Sequence, residues 1–244
     1  MDEPAFDIYS TSSGLKQICN PVRQRILTEL QVKDLSLTDI ANITGKAQST
    51  LSVHLDKMVK EKLVSSRDDP SDNRRKIFFL SSKPVAKSTN PSDEMMKYMH
   101  KTILDSSGTP SSFLKGLMRS LLIGLEAIGL AIDPAMYEVG SEVGKALSTK
   151  VESTDIEDIV SELQEFYEMH DLGEVCVYTF IPLTIIIRDD YETNAETGNK
   201  LCMFHEGVFK SVLENKTGRR FIITENECFG IAYNYCKFII EPVY

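Results

Sequence analysis

Four of the five cysteines lie within the last seventy residues of this 244-residue chain. Cys202, Cys228 and Cys236 are separated by 25 and 7 residues, and Glu225 stands three residues before the second of them. Thiolates and carboxylates bind transition metals, and thiolates are also attacked by oxidants. The clustering therefore indicates a metal site or a redox site. The odd cysteine count argues against a structural disulfide framework.

The first third of the chain has the helix and strand pattern of a winged helix-turn-helix. Capping residues and apolar spacing predict a helix from Asn20-Pro21, a short helix from Ser36 to Thr44-Gly45, and a third helix over 47–62. Two short strands follow, at 63–67 and 76–80, on either side of a polar turn. In such a fold the third helix enters the major groove of double-stranded DNA.

The residues placed to contact DNA are small, polar or basic. Side chains near the start of the third helix suit hydrogen bonds to base edges and phosphates, and cations at the tip of the hairpin reach the backbone or the minor groove. His54 either faces DNA or covers the turn. Operators are usually two-fold, so we expect a homodimer. The predicted DNA-binding residues are Lys46, Gln48, Ser49, Thr50, Ser52, His54, Arg74, Arg75 and Lys76.

Charge divides the chain in the same way. Residues 1–90 hold 14 Lys and Arg against 11 Asp and Glu, a net charge of +3. Residues 91–244 hold 13 against 25, a net charge of −12. A mildly basic first part joined to a strongly acidic second part fits a DNA-binding module attached to one that does not contact DNA.

The remaining segments predict helices followed by strands. Residues 1–12 carry little pattern and are expected to pack loosely, and 81–92 has a linker composition. A Met-rich helix over 93–104 is the candidate dimer contact, through Met95, Met96, Met99 and Ile103. Beyond it the pattern predicts helices at 111–132, 134–149, 155–170 and 202–215, and strands at 175–180, 183–188, 219–225 and 235–243.

Two sets of motifs carry family resemblances. The stretches "PVRQRILTEL", "SLTDIANITGKAQSTLSVHLDKMVKEKLV" and "SSRDDPSDNRRKIFFLS" resemble the ArsR/MarR-like winged helices of bacteria and archaea, over about residues 15–82. The stretches "CMFHEGVF", "TENECFG" and "YNYCKFII" resemble the four-vinyl-reductase-type sensory domain, over about residues 112–243. In phenol sensors of that type three cysteines and a glutamate hold a structural zinc. The resemblance implies one zinc here, bound by Cys202, Glu225, Cys228 and Cys236.

The combined resemblance predicts an α+β protein. It has an N-terminal winged helix-turn-helix DNA-binding domain (1–82), a linker and dimerisation helix (83–110), and a C-terminal α/β sensory domain with an antiparallel sheet (111–244). It also resembles the MsvR redox regulators of methanogenic archaea, which implies a transcription regulator that senses redox state. The candidate redox thiols are Cys176, Cys202, Cys228 and Cys236.

The alternative signal is a small apolar or aromatic ligand bound in a zinc-stabilised receptor domain. The possible lining consists of Met118, Leu122, Phe166, Tyr167 and Tyr178, although such a stripe also fits simple core packing. His170 and His205 are alternative nitrogen ligands for the metal, ranked below Glu225. The same cysteines could instead be buried thiols of a β core.

Several classes are disfavoured by features that the sequence lacks. There is no phosphate-binding glycine loop, no H-E-x-x-H and no G-x-S-x-G, so we expect no enzyme. There is no run of eighteen apolar residues and the N-terminus is acidic, so we expect a cytoplasmic protein without a membrane partner.

Overall fold

The computed structural model describes residues 6–188, 202–227 and 235–243, and it divides into two compact units, residues 1–89 and 90–244. Helices and antiparallel sheets are mixed, which confirms the predicted α+β class. The finer domain limits stay a prediction. No helix in the described ranges has the length and hydropathy needed to cross a bilayer.

The first unit has three helices at its centre: α1 (Pro21–Val32), α2 (Leu37–Thr44) and α3 (Gln48–Lys60). Their ends form where the sequence predicts them. The Asn20 side chain accepts from the amides of the first turn of α1, and Ser36 forms a capping box with Asp39 at α2. Gly45 ends α2 in the left-handed conformation, with φ of 65°.

A small antiparallel sheet completes the helix-turn-helix, as predicted. Its strands are β3 (Leu35–Ser36), β4 (Val64–Asp69) and β5 (Asp72–Leu80), in the order β3-β5-β4. The helices and this sheet bury a common core, which makes the helix pair α2–α3 and the wing one packed body. Core residues include Ile26, Leu27, Leu30, Leu35, Ile40, Leu51, Leu55, Met58, Leu63 and Val64.

Two expectations about the flanks of this unit were wrong. The N-terminal segment forms β1 (Asp7–Thr11) and β2 (Gly14–Ile18), and part of the expected linker forms β6 (Lys83–Ser88). β1 pairs antiparallel with both of the others. Tyr9 in β1 is only 2% exposed, because its ring packs in the core and its hydroxyl accepts from the Gln31 amide. Few apolar residues mark these strands, so the sequence pattern was weak.

The second unit begins with helices: α4 (Asp93–Asp105), α5 (Pro110–Ala127), α6 (Asp133–Ser148) and α7 (Ile156–Met169). The helix expected to reach residue 132 ends at Ala127. Gly129 has φ of 98°, which a helix does not accommodate, and β7 (Leu130–Ala131) follows.

A four-stranded antiparallel sheet forms the other layer of this unit. It consists of β8 (Glu174–Phe180), β9 (Leu183–Arg188), β10 (Arg220–Glu227) and β11 (Cys236–Val243), in the order β10-β11-β9-β8. Helix α8 (Cys202–Thr217) packs on it. The core between them includes Ile185, Ile187, Val208, Phe209, Val212, Leu213, Phe221, Phe238 and Ile240.

Glycines fix the distance between α6 and α8. A Cβ atom on Gly140 would lie 2.1 Å from the carbonyl oxygen of Phe204, and one on Gly207 would lie 2.3 Å from that of Tyr137. A Cβ atom on Gly144 would meet the carbonyl oxygen of Val208 at 2.5 Å. Only a residue without a Cβ permits this approach, so the three glycines hold α8 against α6 backbone to backbone.

Candidate functional site

Three of the predicted metal ligands meet at one end of the sheet. Ligand atoms of Cys202, Glu225 and Cys236 all lie within 4.8 Å of one another, and the two sulfurs are 2.9 Å apart. Both cysteines are buried and the glutamate is half-buried. The three side chains are therefore close enough to bind one metal ion. Cys228, the fourth predicted ligand, lies outside the described residues.

The sheet register explains why residues far apart in sequence converge. Phe238 pairs with Glu225, and directly opposite residues point to the same face of a sheet. Cys236 is two residues before Phe238 and therefore shares that inner face. Helix α8 crosses the same face and brings Cys202 to it from the other layer.

The donor set fits a soft or borderline metal ion. Two thiolates on one tetrahedral zinc lie roughly 3.8 Å apart when each Zn–S bond is about 2.3 Å, whereas bonded sulfurs are about 2.05 Å apart. The observed 2.9 Å between Cys202 and Cys236 lies between these two arrangements. Small side-chain movements therefore lead from this geometry to a shared metal or to a disulfide.

Cys176, the fourth thiol predicted for redox chemistry, lies elsewhere. Val175, Ile187 and Cys236 are aligned across β8, β9 and β11, whereas Cys176 is aligned with Ile186 and points to the opposite face. Burial, together with the neighbouring Glu174 carboxylate, raises the pKa of the Cys176 thiol. Both effects disfavour the thiolate, which is the reactive form.

The two histidines considered as nitrogen ligands are used differently. His205 Nδ1 is 3.0 Å from the hydroxyl of Tyr167, inside the core. His170 is exposed and its ring stacks on Phe166 at a centroid distance of 4.4 Å. Neither is among the described groups that could share a metal with Cys202.

On the first unit, the predicted DNA-binding helix α3 presents an exposed N-terminal turn. Lys46, Gln48, Ser49 and Thr50 are all exposed. No side chain caps this end of α3, so its first amides are available to an anion such as a phosphate. Ser52 and His54 are half-buried, and the Ser52 hydroxyl donates to the carbonyl oxygen of Gln48.

The wing differs from the expectation. Its tip lies between Asp69 and Asp72, so acidic rather than basic residues surround the turn. The predicted cations lie within strand β5. Lys76 is exposed, and Arg75 donates to the hydroxyl of Ser36 at 3.3 Å, next to the start of α2. The side chain of Arg74 lies outside the described residues. The sequence placed these cations at the tip because the turn is shorter than its composition suggests.

Comparison with known families agrees with this division of the chain. The model described as "Bacterial regulatory protein, arsR family" matches residues 20–66, and the model of the vinyl-4-reductase-type domain matches residues 183–242. The chain joins an ArsR-family helix-turn-helix to a vinyl-4-reductase-type domain. It is therefore an ArsR-type DNA-binding regulator with a sensory domain of the vinyl-4-reductase type.

Relatives of this regulator are found in a methanogen. The chain is 28% identical over 118 residues to the uncharacterized protein MJ1642 of Methanocaldococcus jannaschii, covering 48% of this chain and 68% of that protein. It is 27% identical over 103 residues to the uncharacterized protein MJ0855 of the same organism, covering 41% of this chain. The match spans 43% of the length of MJ0855.

Two solved structures are similar at low identity. A vinyl-4-reductase family protein from M. jannaschii matches with 18% identity and a TM-score of 0.37, over 62% of this chain and 94% of the other. An H-NOX protein from S. oneidensis matches with 13% identity and a TM-score of 0.39, over 62% of this chain and 89% of the other.

The sensory unit also contains a cavity of about 340 Å³, which sequence reasoning placed only in part. Of the five predicted lining residues Met118 lines it, while Tyr167 and Leu122 are buried in packing and Tyr178 is exposed beside Lys237. Arg119 was missed. Its signal was a cation on the otherwise apolar face of α5, where it is only 4% exposed.

Proposed function

We propose that this regulator holds a zinc ion in its vinyl-4-reductase-type domain and that oxidation of the zinc-binding thiols alters promoter binding. The observation that carries the proposal is the 2.9 Å separation of the Cys202 and Cys236 sulfurs, with Glu225 beside them. The sequence supplies Cys228 as the fourth ligand. The resemblance to the MsvR regulators supports the redox signal, which stays a prediction.

A zinc ion bound by three thiolates and a carboxylate forms a closed structural site, and its binding energy contributes to folding. The ligands Cys202 and Cys236 come from α8 and from β11, one from each layer of the unit. A shared ion would therefore fasten the start of α8 to the sheet. Loss of the ion would release that end of the helix.

Oxidation would act on this link directly. Joining the Cys202 and Cys236 sulfurs in a disulfide passes two electrons to an oxidant such as a peroxide and removes two of the metal's donors. The burial of both thiols limits access, so we expect oxidation to need local opening of the site.

Elemental analysis of anaerobically purified protein, before and after mild peroxide treatment, tests the proposal. We expect one zinc per chain that is lost on oxidation together with a change in DNA affinity. Cys236→Ser should lower the zinc content, and Cys19→Ser, at an exposed thiol, is the matched control. Zinc retained after complete thiol oxidation, or unchanged DNA affinity, would contradict the switch.

DNA binding by α3 is supported by its exposed polar start and its free N-terminal amides. Selection of sites from a random double-stranded DNA pool, followed by fluorescence anisotropy, would measure it. We expect Gln48→Ala to lower affinity for the selected site by about 1–3 kcal/mol, since a bidentate base contact has that value. Thr28→Ala, at an exposed position of α1, is the control. Equal affinities for both variants would remove α3 from the interface.

We also propose a homodimer, although α4 is a smaller candidate interface than the sequence suggests. Met95, Met96, Met99 and Ile103 are all half-buried within the chain, and Met99 reaches Gly124 of α5. Sedimentation analysis of the full chain would give the mass in solution. A monomer at the concentrations that bind DNA would contradict the dimer.

A second candidate function is a small-molecule receptor, favoured by the cavity in the sensory unit. Its volume of about 340 Å³ lies at the lower end of the range for small-ligand sites. Its walls include Leu114, Met118, Met136 and Phe204. A ligand bound there would be the signal in place of, or in addition to, oxidation.

A further inference from the structure

The cavity of the sensory unit has two buried nitrogen-bearing side chains in an apolar wall. Arg119 of α5 is 4% exposed and His205 of α8 is 2% exposed, and both line the cavity. Burying a charged or polar group is unfavourable unless it is compensated by a partner. The position of these groups in a cavity indicates which chemistry a ligand would need.

The hydrogen-bonding state of His205 follows from its neighbour. Tyr167 is completely buried, and burial raises the pKa of its hydroxyl far above the usual value, so the hydroxyl keeps its hydrogen. That hydrogen needs an acceptor, and His205 Nδ1 lies 3.0 Å away. When Nδ1 accepts, the hydrogen of the neutral imidazole is on Nε2.

His205 is neutral at physiological pH. Burial, with the nearby positive charge of Arg119 in addition, lowers the pKa of His205 to about 4. Its Nε2 is buried and has no hydrogen-bond partner among the described residues. Since Tyr167 occupies Nδ1, Nε2 is the ring nitrogen left for a molecule in the cavity, and it is a donor.

The charges at the mouth of the cavity are already paired with each other. Lys115 Nζ is 2.8 Å from one carboxylate oxygen of Asp171, and the hydroxyl of Ser111 donates to the other at 2.5 Å. Asp171 is the one acidic side chain among the described lining residues. Inside the mouth, the polar groups of Arg119 and His205 are donors and the rest of the wall is mainly apolar.

We propose that this cavity binds a small organic carboxylate whose apolar body packs on Leu114, Met118, Met136 and Phe204 while its carboxylate accepts from Arg119 and His205. A guanidinium and an N–H donor match the acceptor oxygens of a carboxylate. A neutral hydrocarbon would use the apolar wall but offer no acceptor to His205 Nε2. The inference rests on the second candidate function and gives its ligand class.

Isothermal titration calorimetry of the full chain with three acids tests the proposal: hexanoate, benzoate and 3-phenylpropanoate, each compared with its amide. The amide keeps the size and shape of the acid but lacks the negative charge. We expect at least one acid to bind at least tenfold more tightly than its amide. Equal binding of acid and amide in every pair, or no binding by any acid at millimolar concentration, would overturn the proposal.

Variants locate the binding. Arg119→Gln should reduce acid binding at least tenfold and bring it close to that of the amide, whereas Arg220→Gln, at an exposed arginine, should leave it unchanged. If Arg119→Gln does not fold, Met118→Trp at the half-exposed rim serves instead, since it fills the cavity from the solvent side. Undiminished acid binding in a folded Arg119→Gln or Met118→Trp variant would contradict this site. The titration uses no DNA and no oxidant, so its result is independent of promoter binding and of the zinc switch.

Discussion

Gly207 lies where α8 crosses α6, and alanine at this position would disturb the helix that carries Cys202. A Cβ atom there would lie 2.3 Å from the carbonyl oxygen of Tyr137 and 2.7 Å from the amide nitrogen of Ser141. Both are backbone atoms of α6 and neither can rotate away. Ordinary contacts begin at 3.4 Å, so the two helices must separate by about 1 Å.

The expected cost follows from two opposing effects. Forcing an extra carbon into a packed interior costs about 1–3 kcal/mol, and contact with backbone puts Gly207→Ala at the upper end of that range. Alanine is favoured over glycine within a helix by about 1 kcal/mol, which offsets part of the cost. We expect the free energy of unfolding to fall by about 2 kcal/mol, which corresponds to about 4–8 °C in Tm for a chain of this size.

Urea and thermal denaturation followed by circular dichroism measure the effect of Gly207→Ala. The matched control is Gly108→Ala, because the nearest atom to a Cβ there is 4.0 Å away. We expect that control to stay within about 0.5 kcal/mol of the parent. If Gly207→Ala is as stable as Gly108→Ala, α6 and α8 do not approach as described and the reasoning is refuted.

Two further predictions concern buried or capping hydrogen bonds. Tyr167→Phe removes the donor to His205 and leaves a buried acceptor, so we expect a loss of about 1–3 kcal/mol in the free energy of unfolding, measured by urea denaturation. Hydrogen bonds from the Ser36 side chain and backbone lower the pKa of Asp39. A depressed carboxylate pKa stabilises the fold above the unfolded value near 3.8, and this contribution is lost as the pH falls through the folded pKa. Asp39→Asn should therefore flatten the acid limb of stability against pH, and an unchanged limb would contradict the capping box.

The helix-turn-helix was predictable because its signals are local. Asn20, Ser36 and Gly45 each fix a helix end through contacts within a few residues, and all three act as the sequence predicts. The β1 and β6 strands were not predictable in this way. Tyr9 is buried by residues distant in sequence, and its short strand carries too few apolar residues to produce an alternating pattern.

The metal cluster was predicted from residue types and a resemblance, whereas its assembly depends on pairings between distant segments. Glu225 and Cys236 reach one face through the register of β10 and β11, which no local pattern specifies. The cavity was harder to predict. The donor state of His205 depends on Tyr167, 38 residues earlier, and Arg119 reaches it from another helix.

The two proposed inputs of the sensory unit converge on one end of α8. Cys202 and His205 lie one turn apart on this helix, the first at the candidate metal centre and the second at the cavity. Gly140 and Gly207 hold this part of α8 tightly against α6, so it is more easily displaced as a rigid segment than bent. Binding of a carboxylate at His205 should therefore change the affinity of the thiols for zinc, and zinc should change carboxylate affinity by the same factor. Zinc titrations with and without a saturating acid measure that factor. A value of one would mean that the two sites act independently.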